Sequence, residues 1–339
     1  MLKLHGKVES FNLNLKSFQL YTITSNDDDN AKDKSKYAFL FDKKVNDQYG
    51  LNITFNKNNK NGKNIVYLSE EYRYLNDGDI VRIDNNNNFA CLFRANSNYN
   101  TILLTEQCNH YCLMCSQPPK KQDDSWLLRQ AKDLIKLIPK ETKWIGFSGG
   151  EPTIYGQGFI DLIKHTKEYL PETGLDVLTN GRTFSDLNYS KQISKINHQK
   201  LTFGIPIYSH NPINHNFIVQ ADHAFDETIR GILNLKNHNQ RVEIRIVLHK
   251  QSIPDLIETC KFITRNLVFV DHVALMGLEI TGFTRANLDE LWIDPFEYKD
   301  ILSEAVYILN QYHVPTSVYN HQICTINNDV MNNYQRSIS

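Results

Sequence analysis

The stretch Thr105-Glu-Gln-Cys-Asn-His-Tyr-Cys-Leu-Met-Cys-Ser116 puts Cys108, Cys112 and Cys115 within eight residues, in the spacing C-x3-C-x2-C. Three thiolates so close in sequence can wrap one face of a soft metal centre. They leave four-coordination one ligand short, so such a centre keeps a position for water, a further protein ligand or a substrate. On the residues alone zinc is the main rival to an iron–sulfur centre, with His110 available as its fourth ligand. The apolar run Thr101-Ile-Leu-Leu leads straight into the loop. It reads as a strand whose C-terminal end carries the cysteines.

Working outward, the chain repeats strand, loop and helix. Further strands are expected at 144–147, 175–179, 201–208, 242–248 and 273–276. Helices are expected at 125–138, 159–170, 186–196, 225–236, 252–266 and 294–312, with Asp124 or Ser125, Ser252 and Asp294 as N-caps and Pro295 in the first turn of the last helix. Six β–α units in a row predict a parallel sheet with helices outside it and ligands gathered at the C-terminal ends of the strands. Residues 1–96 read differently, as short apolar runs separated by Asn, Asp, Gly and Lys clusters, with Asn76-Asp-Gly-Asp79 the clearest turn. That pattern predicts a small β-barrel or sandwich, with 25–36 an exposed loop. The expected plan is a β-rich N-terminal domain at 1–96, an α/β partial barrel at 97–290, and a helix and strand extension at 291–339.

Hydrophobic residues make up 41% of the 339 and charged residues 22%, and the net charge is −1. No overall field recruits nucleic acid or an anionic membrane. The N-terminus lacks the apolar run of a signal peptide, and no stretch approaches the roughly 20 apolar residues that span a bilayer. The expected compartment is the cytoplasm, where thiols stay reduced and clustered cysteines serve metals or catalysis. Cys91, Cys260 and Cys324 are scattered and apolar-flanked, and read as small buried residues.

A second motif, Phe147-Ser-Gly-Gly-Glu-Pro-Thr153, follows the second expected strand. Its glycines permit close backbone approach, and Glu151 puts a carboxylate at a strand end. Paired in adjacent β–α units, the two motifs say more than either alone. Together they resemble the radical SAM superfamily, whose cluster motif C-x3-C-x-Φ-C is matched with Met114 at Φ, and whose Gly-Gly-Glu motif is matched by Gly149, Gly150 and Glu151. The resemblance covers about 99–290 and implies a partial (βα)6 TIM barrel. It implies a 4Fe–4S cluster on Cys108, Cys112 and Cys115, with S-adenosylmethionine on the remaining iron. It implies Gly149, Gly150 and Glu151 at the methionyl amino group, Met114 near the adenine and Asn180, in Thr179-Asn-Gly181, as a cofactor contact. Ser209 would meet the ribose and Arg245 the carboxylate; the alternative for Arg245 is an internal ion pair. The segment from Gly277 to Gly282 resembles the family's glycine motif near the adenine. His110 is a candidate donor to a cluster sulfide, and His210 and His215, expected in a polar loop after strand four, are candidate substrate contacts.

The flanks Leu104–Pro119, Val273–Asn287, Leu291–Pro295 and Ser317–Cys324 resemble one group more closely, the His-Xaa-Ser system radical SAM maturase of the HxsC type. That resemblance implies modification of a ribosomally made peptide, an electron donor such as flavodoxin or ferredoxin, and a second radical SAM maturase as partner. Members of the group continue past Ser337-Ile-Ser339 into a cysteine-bearing tail compatible with an auxiliary cluster, for which Cys324 would be a remnant ligand. A small-molecule or nucleotide substrate, and a non-catalytic metal-binding scaffold for a partner maturase, are the alternatives.

Overall fold

A computed structural model describes residues 2–27, 33–41 and 44–335. The chain divides into two compact units, Met1–Ile102 with Arg129–Ile145, and Leu103–Leu128 with Gly146 onward.

The N-terminal sheet has eight strands: β1 (His5–Lys7), β2 (Glu9–Phe11), β3 (Gln19–Thr24), β4 (Tyr37–Leu40), β5 (Leu51–Thr54), β6 (Ile65–Tyr67), β7 (Ile80–Ile83) and β8 (Asn88–Phe93). Their order is β1-β8-β7-β3-β4-β5-β6-β2. Ile23, Leu51, Ile53, Val66, Val81, Ile83 and Phe89 are at most 1% exposed and form its core. The Asn76–Asp79 turn forms as expected, and the buried Asp79 carboxylate accepts from the amides of Asn76 and Ala95 at 3.0 and 2.8 Å. The expectation of a wholly exposed segment at 25–36 needs correction. Lys34 is buried and pairs with Asp27 at 2.9 Å, while residues 28–32 lie outside the described residues.

The second sheet is seven-stranded, in sequential order: β9 (Asn100–Thr105), β10 (Trp144–Gly149), β11 (Gly174–Leu178), β12 (Leu201–Pro206), β13 (Arg241–Leu248), β14 (His272–Gly277) and β15 (Thr316–Tyr319). From β11 onward every pairing is parallel. The connecting helices are α1 (Trp126–Leu137), α2 (Gln157–Tyr169), α3 (Leu187–Ile196), α4 (Pro212–Val219), α5 (Ala224–Asn237), α6 (Leu256–Asn266), α7 (Phe283–Ala286), α8 (Leu288–Leu291) and α9 (Lys299–Gln311). This is the partial barrel of βα units expected from the sequence, with the strand of the C-terminal extension added as a seventh. Strand β13 shows the logic. Val242, Ile244, Ile246 and Leu248 are buried, and Glu243, Arg245 and Val247 on the other face are half-buried. Alternation of this kind gives one row to the helix layer and the other to the barrel interior.

Three expectations are corrected. Helix α4 stands where a polar loop was expected after strand four; the Asn211 side chain caps it by accepting from the Ile213 amide at 2.9 Å, and Pro212 occupies its first position. The last helix begins at Lys299, because Asp294 caps only an isolated turn, accepting from the Phe296 amide at 2.9 Å. The Ser252 hydroxyl donates to the Val247 carbonyl at 2.8 Å, and α6 begins four residues later. Of the scattered cysteines Cys91 and Cys260 are buried as expected, but Cys324 is exposed. Ser337-Ile-Ser339 lies outside the described residues. Among the described residues no helix is long and apolar enough to cross a membrane.

Candidate active site

The cysteine loop leaves the C-terminal end of β9 and is clamped from three sides. On the first, the Gly150 amide donates to the Thr105 carbonyl at 2.9 Å and the Glu151 amide to the Gln107 carbonyl at 2.8 Å. On the second, the amides of Tyr111 and Leu113 donate to the Val219 and Ile218 carbonyls of α4 at 3.1 and 2.9 Å. On the third, the Phe283 amide donates to the Cys115 carbonyl at 2.8 Å, Thr284 Oγ1 to the Met114 carbonyl and Asn287 Nδ2 to the Leu113 carbonyl. Met114, 7% exposed, packs with Tyr208, Ile218, Val219, Ala224 and Leu291, and Cys112 lies at the edge of this cluster. Burying such a methionine contributes about 1.5–3 kcal/mol.

The glycines of the second motif make the first clamp sterically feasible. A Cβ on Gly149 would sit 2.3 Å from the Thr105 carbonyl oxygen, and one on Gly150 only 2.0 Å from that of Gln107. The close approach is therefore to the cysteine loop itself. Gly282, before α7, plays the same part on the third side, 2.3 Å from the Cys115 carbonyl oxygen by the same measure.

Glu151 is fully buried. One of its oxygens accepts from the Thr153 amide, Thr153 Oγ1 and Thr179 Oγ1 at 2.9, 2.7 and 2.8 Å, and the other from the Asn180 amide at 2.6 Å. Burial pushes its carboxyl above the usual range against these donors. Asn180 Nδ2 in turn donates to Asn109 Oδ1 at 2.6 Å, so Gly149–Glu151, Thr179–Asn180 and the cysteine loop meet at one junction. Sequence reasoning missed two members of this arrangement. Asn109 gave no signal of its own. Asp124, expected as a helix cap, instead turns its carboxylate onto the loop and accepts from Thr105 Oγ1, the Glu106 amide, Gln107 Nε2 and Tyr155 Oη at 2.5–3.1 Å.

Ser209 and Arg245 stand apart from that junction in their bonding. The Ser209 hydroxyl donates to Asp255 at 2.5 Å. Arg245 Nη1 pairs with Glu243 at 2.9 Å, and Glu243 also bonds His272 Nδ1 at 2.8 Å. His210 is half-buried, and its amide donates to Thr259 at 3.0 Å. His215 is not in an open loop as expected. It is 1% exposed on α4, stacked on Tyr208 with ring centroids 5.9 Å apart. Tyr208, which the sequence did not single out, is buried just beyond β12, and its proton affinity is raised by burial first and then by the nearby Cys112 and Cys115.

Whether the three thiols suit a cationic cluster can be read from their surroundings. Burial pushes Cys108 up to about 12, and raises Cys112 and Cys115 as well. Cys112 is further raised by its two neighbours. Thiolates here repel one another in an apolar setting and need a compensating cation, which iron supplies. The donor set fits.

Residues 102–263 match the family model described as the radical SAM superfamily. Over that stretch, just under half of the chain, the sequence is similar to the radical SAM superfamily. The match supports an S-adenosylmethionine-dependent enzyme, and that superfamily implies a 4Fe–4S cluster with S-adenosylmethionine. Similar solved structures include Streptococcus suis SuiB bound to S-adenosylmethionine, at 18% identity and TM-score 0.50, covering 66% of this chain and 50% of that one. Native anSMEcpe with bound AdoMet is 17% identical at TM-score 0.50, covering 64% and 63%. Coproporphyrinogen III oxidase (HemN) from Escherichia coli, a radical SAM enzyme, is 16% identical at TM-score 0.50, covering 64% and 54%. The chain thus spans about half to just under two thirds of their lengths, and the likeness is one of fold. A search of curated proteins finds no match.

Proposed function

We propose that this protein reductively cleaves S-adenosylmethionine and uses the resulting 5′-deoxyadenosyl radical to abstract hydrogen from a ribosomally made peptide, in a His-Xaa-Ser type of maturation. The observation that carries the cleavage reading is the junction of the two motifs. The Gly149-Gly150-Glu151 segment is fastened by two backbone bonds to the loop bearing the three cysteines, at a distance only glycine permits. Peptide as the substrate class rests on the sequence resemblance of the loop's flanks.

When bound, the cluster and S-adenosylmethionine supply the electron and the radical. The chain's own residues do the rest. Cys108, Cys112 and Cys115 would hold the cluster. Gly149 and Gly150 would offer backbone to the methionyl amino group, while the buried Glu151 carboxylate fixes Thr179 and Asn180. Met114 and Tyr208 exclude water. Ser209 would meet the ribose and Arg245 the carboxylate, in competition with Asp255 and Glu243. A flavodoxin or ferredoxin provides the electron, in the cytoplasm, alongside a second maturase.

Anaerobic reconstitution with iron and sulfide, reduction by dithionite and addition of S-adenosylmethionine tests this. The expected product is 5′-deoxyadenosine, formed faster with the cognate repeat peptide and carrying deuterium from a deuterated peptide. Absence of the nucleoside from cluster-loaded protein overturns the cleavage reading. Its formation with no peptide dependence and no deuterium overturns the peptide reading alone.

A further inference from the structure

Three histidines beside the cysteine loop are almost fully buried, and in each the Nε2 atom has no hydrogen-bond partner: His110, His215 and His249. Buried polar atoms without partners are uncommon and call for an explanation. The last two have a fixed tautomer. The Tyr208 amide donates to His215 Nδ1 at 3.3 Å, and the Gln251 amide to His249 Nδ1 at 3.2 Å, so each neutral ring keeps its proton on Nε2.

His110 differs. Its backbone amide donates to Cys108 Sγ at 3.3 Å, and its ring Nδ1 lies 4.0 Å from Cys112 Sγ, the polar contact the ring makes. With the sulfur as the neighbour on the Nδ1 side, a proton there points at it and leaves a lone pair unpaired at Nε2. The residue thus addresses two of the three thiols through two separate nitrogens. Cys112 is half-buried at the edge of the Met114 cluster.

We infer that His110 is a positioning residue for the cluster: its Nδ1–H donates to the Cys112 sulfur once that sulfur holds iron, and thereby raises the reduction potential of the cluster. The inference rests on the proposed function, since it takes Cys112 as a ligand. The direction follows from charge. Reduction adds negative charge to the cluster and its sulfurs, and a hydrogen bond stabilises the more negative state.

The test uses the full chain, reconstituted anaerobically, and reads potential rather than turnover. His110→Leu removes the donor and keeps an apolar filler. Potentiometric titration followed by electron paramagnetic resonance is expected to show a more negative potential, with the reduction equilibrium about tenfold less favourable, or 59 mV for one electron. Wild-type protein containing 15N-histidine is expected to show a weak nitrogen coupling and an exchangeable proton on the reduced cluster in pulsed measurements. An unchanged potential in loaded His110→Leu overturns the inference. So does a shift without the coupling in the wild type, as repacking alone would give. If the variant does not load, the wild-type coupling decides by itself. Failure of wild-type protein to bind any cluster would instead overturn the proposed function and this inference with it.

Discussion

Replacing Gly150 by alanine isolates the contact between the two motifs. The added methyl would lie 2.0 Å from the Gln107 carbonyl oxygen, 2.5 Å from its carbon and 3.0 Å from Cys108 Cβ. Two of these are backbone atoms, which cannot swing aside as a side chain does. Relief requires the loop to retreat, and retreat stretches the bonds from Gly150 to Thr105 and from Glu151 to Gln107. Overpacking costs about 1–3 kcal/mol, and two weakened hydrogen bonds about 0.5–1.5 kcal/mol each, giving a loss of roughly 2–6 kcal/mol. Chemical denaturation of the apo protein measures it, and iron content after reconstitution should fall in parallel because Cys108 moves with the loop. Gly158→Ala is the control, since its methyl meets the flexible tip of Leu128 at 3.0 Å and Tyr155 Cβ at an ordinary 3.6 Å. If Gly150→Ala unfolds at the wild-type denaturant concentration and retains wild-type iron, the claim that these glycines exist to admit the cysteine loop is wrong.

Other expectations are shorter to state. Glu151→Gln should destabilise the apo protein by about 1–3 kcal/mol, because an amide nitrogen would face one of the donors from Thr153, Thr179 or Asn180; a variant as stable as wild type in urea would show the carboxylate is not needed for folding. Asp124 is a carboxyl whose burial alone would raise it, yet its donors hold it below the usual range. A group lower in the folded state stabilises fully above its unfolded value, near 3.9, and that contribution fades as pH falls through the folded value. Asp124→Asn should therefore flatten the acid limb of the stability curve below about pH 4 relative to wild type, as read by denaturant midpoints across pH. Cys112→Ala should abolish the visible absorption of the reconstituted cluster while Cys324→Ala, at an exposed position, leaves it intact; the opposite pattern would reassign the ligands.

The fold was legible because its signals are local and repeated. Strand β13 alternates cleanly, and the helices that follow the strands carry apolar residues at helical spacing. What escaped notice depended on distant partners. Helix α4 is short, and its Asn211-Pro212 start looks like ordinary turn chemistry until the chain is folded. Asp124 sits where a cap is expected, but three residues of the cysteine loop and Tyr155 compete successfully for its oxygens. The three cysteines stand out by their spacing, and the Gly149–Glu151 motif only by its pairing with them and by the family resemblance. Their reason for adjacency is not, since the contact that glycine permits is between backbones about 45 residues apart. Arg245 illustrates the converse. A strand arginine needs an anion, and two positions away on the same face Glu243 already provides one.

The claim at the centre of the account is that three cysteines leave one iron open for S-adenosylmethionine. The most direct measurement is the electron paramagnetic resonance spectrum of the dithionite-reduced, reconstituted protein, recorded with and without S-adenosylmethionine labelled with 15N at its amino group. The account predicts a single 4Fe–4S signal that changes on addition and acquires a 15N coupling from direct ligation. A cluster signal that is unmoved by the cofactor and shows no such coupling would contradict it.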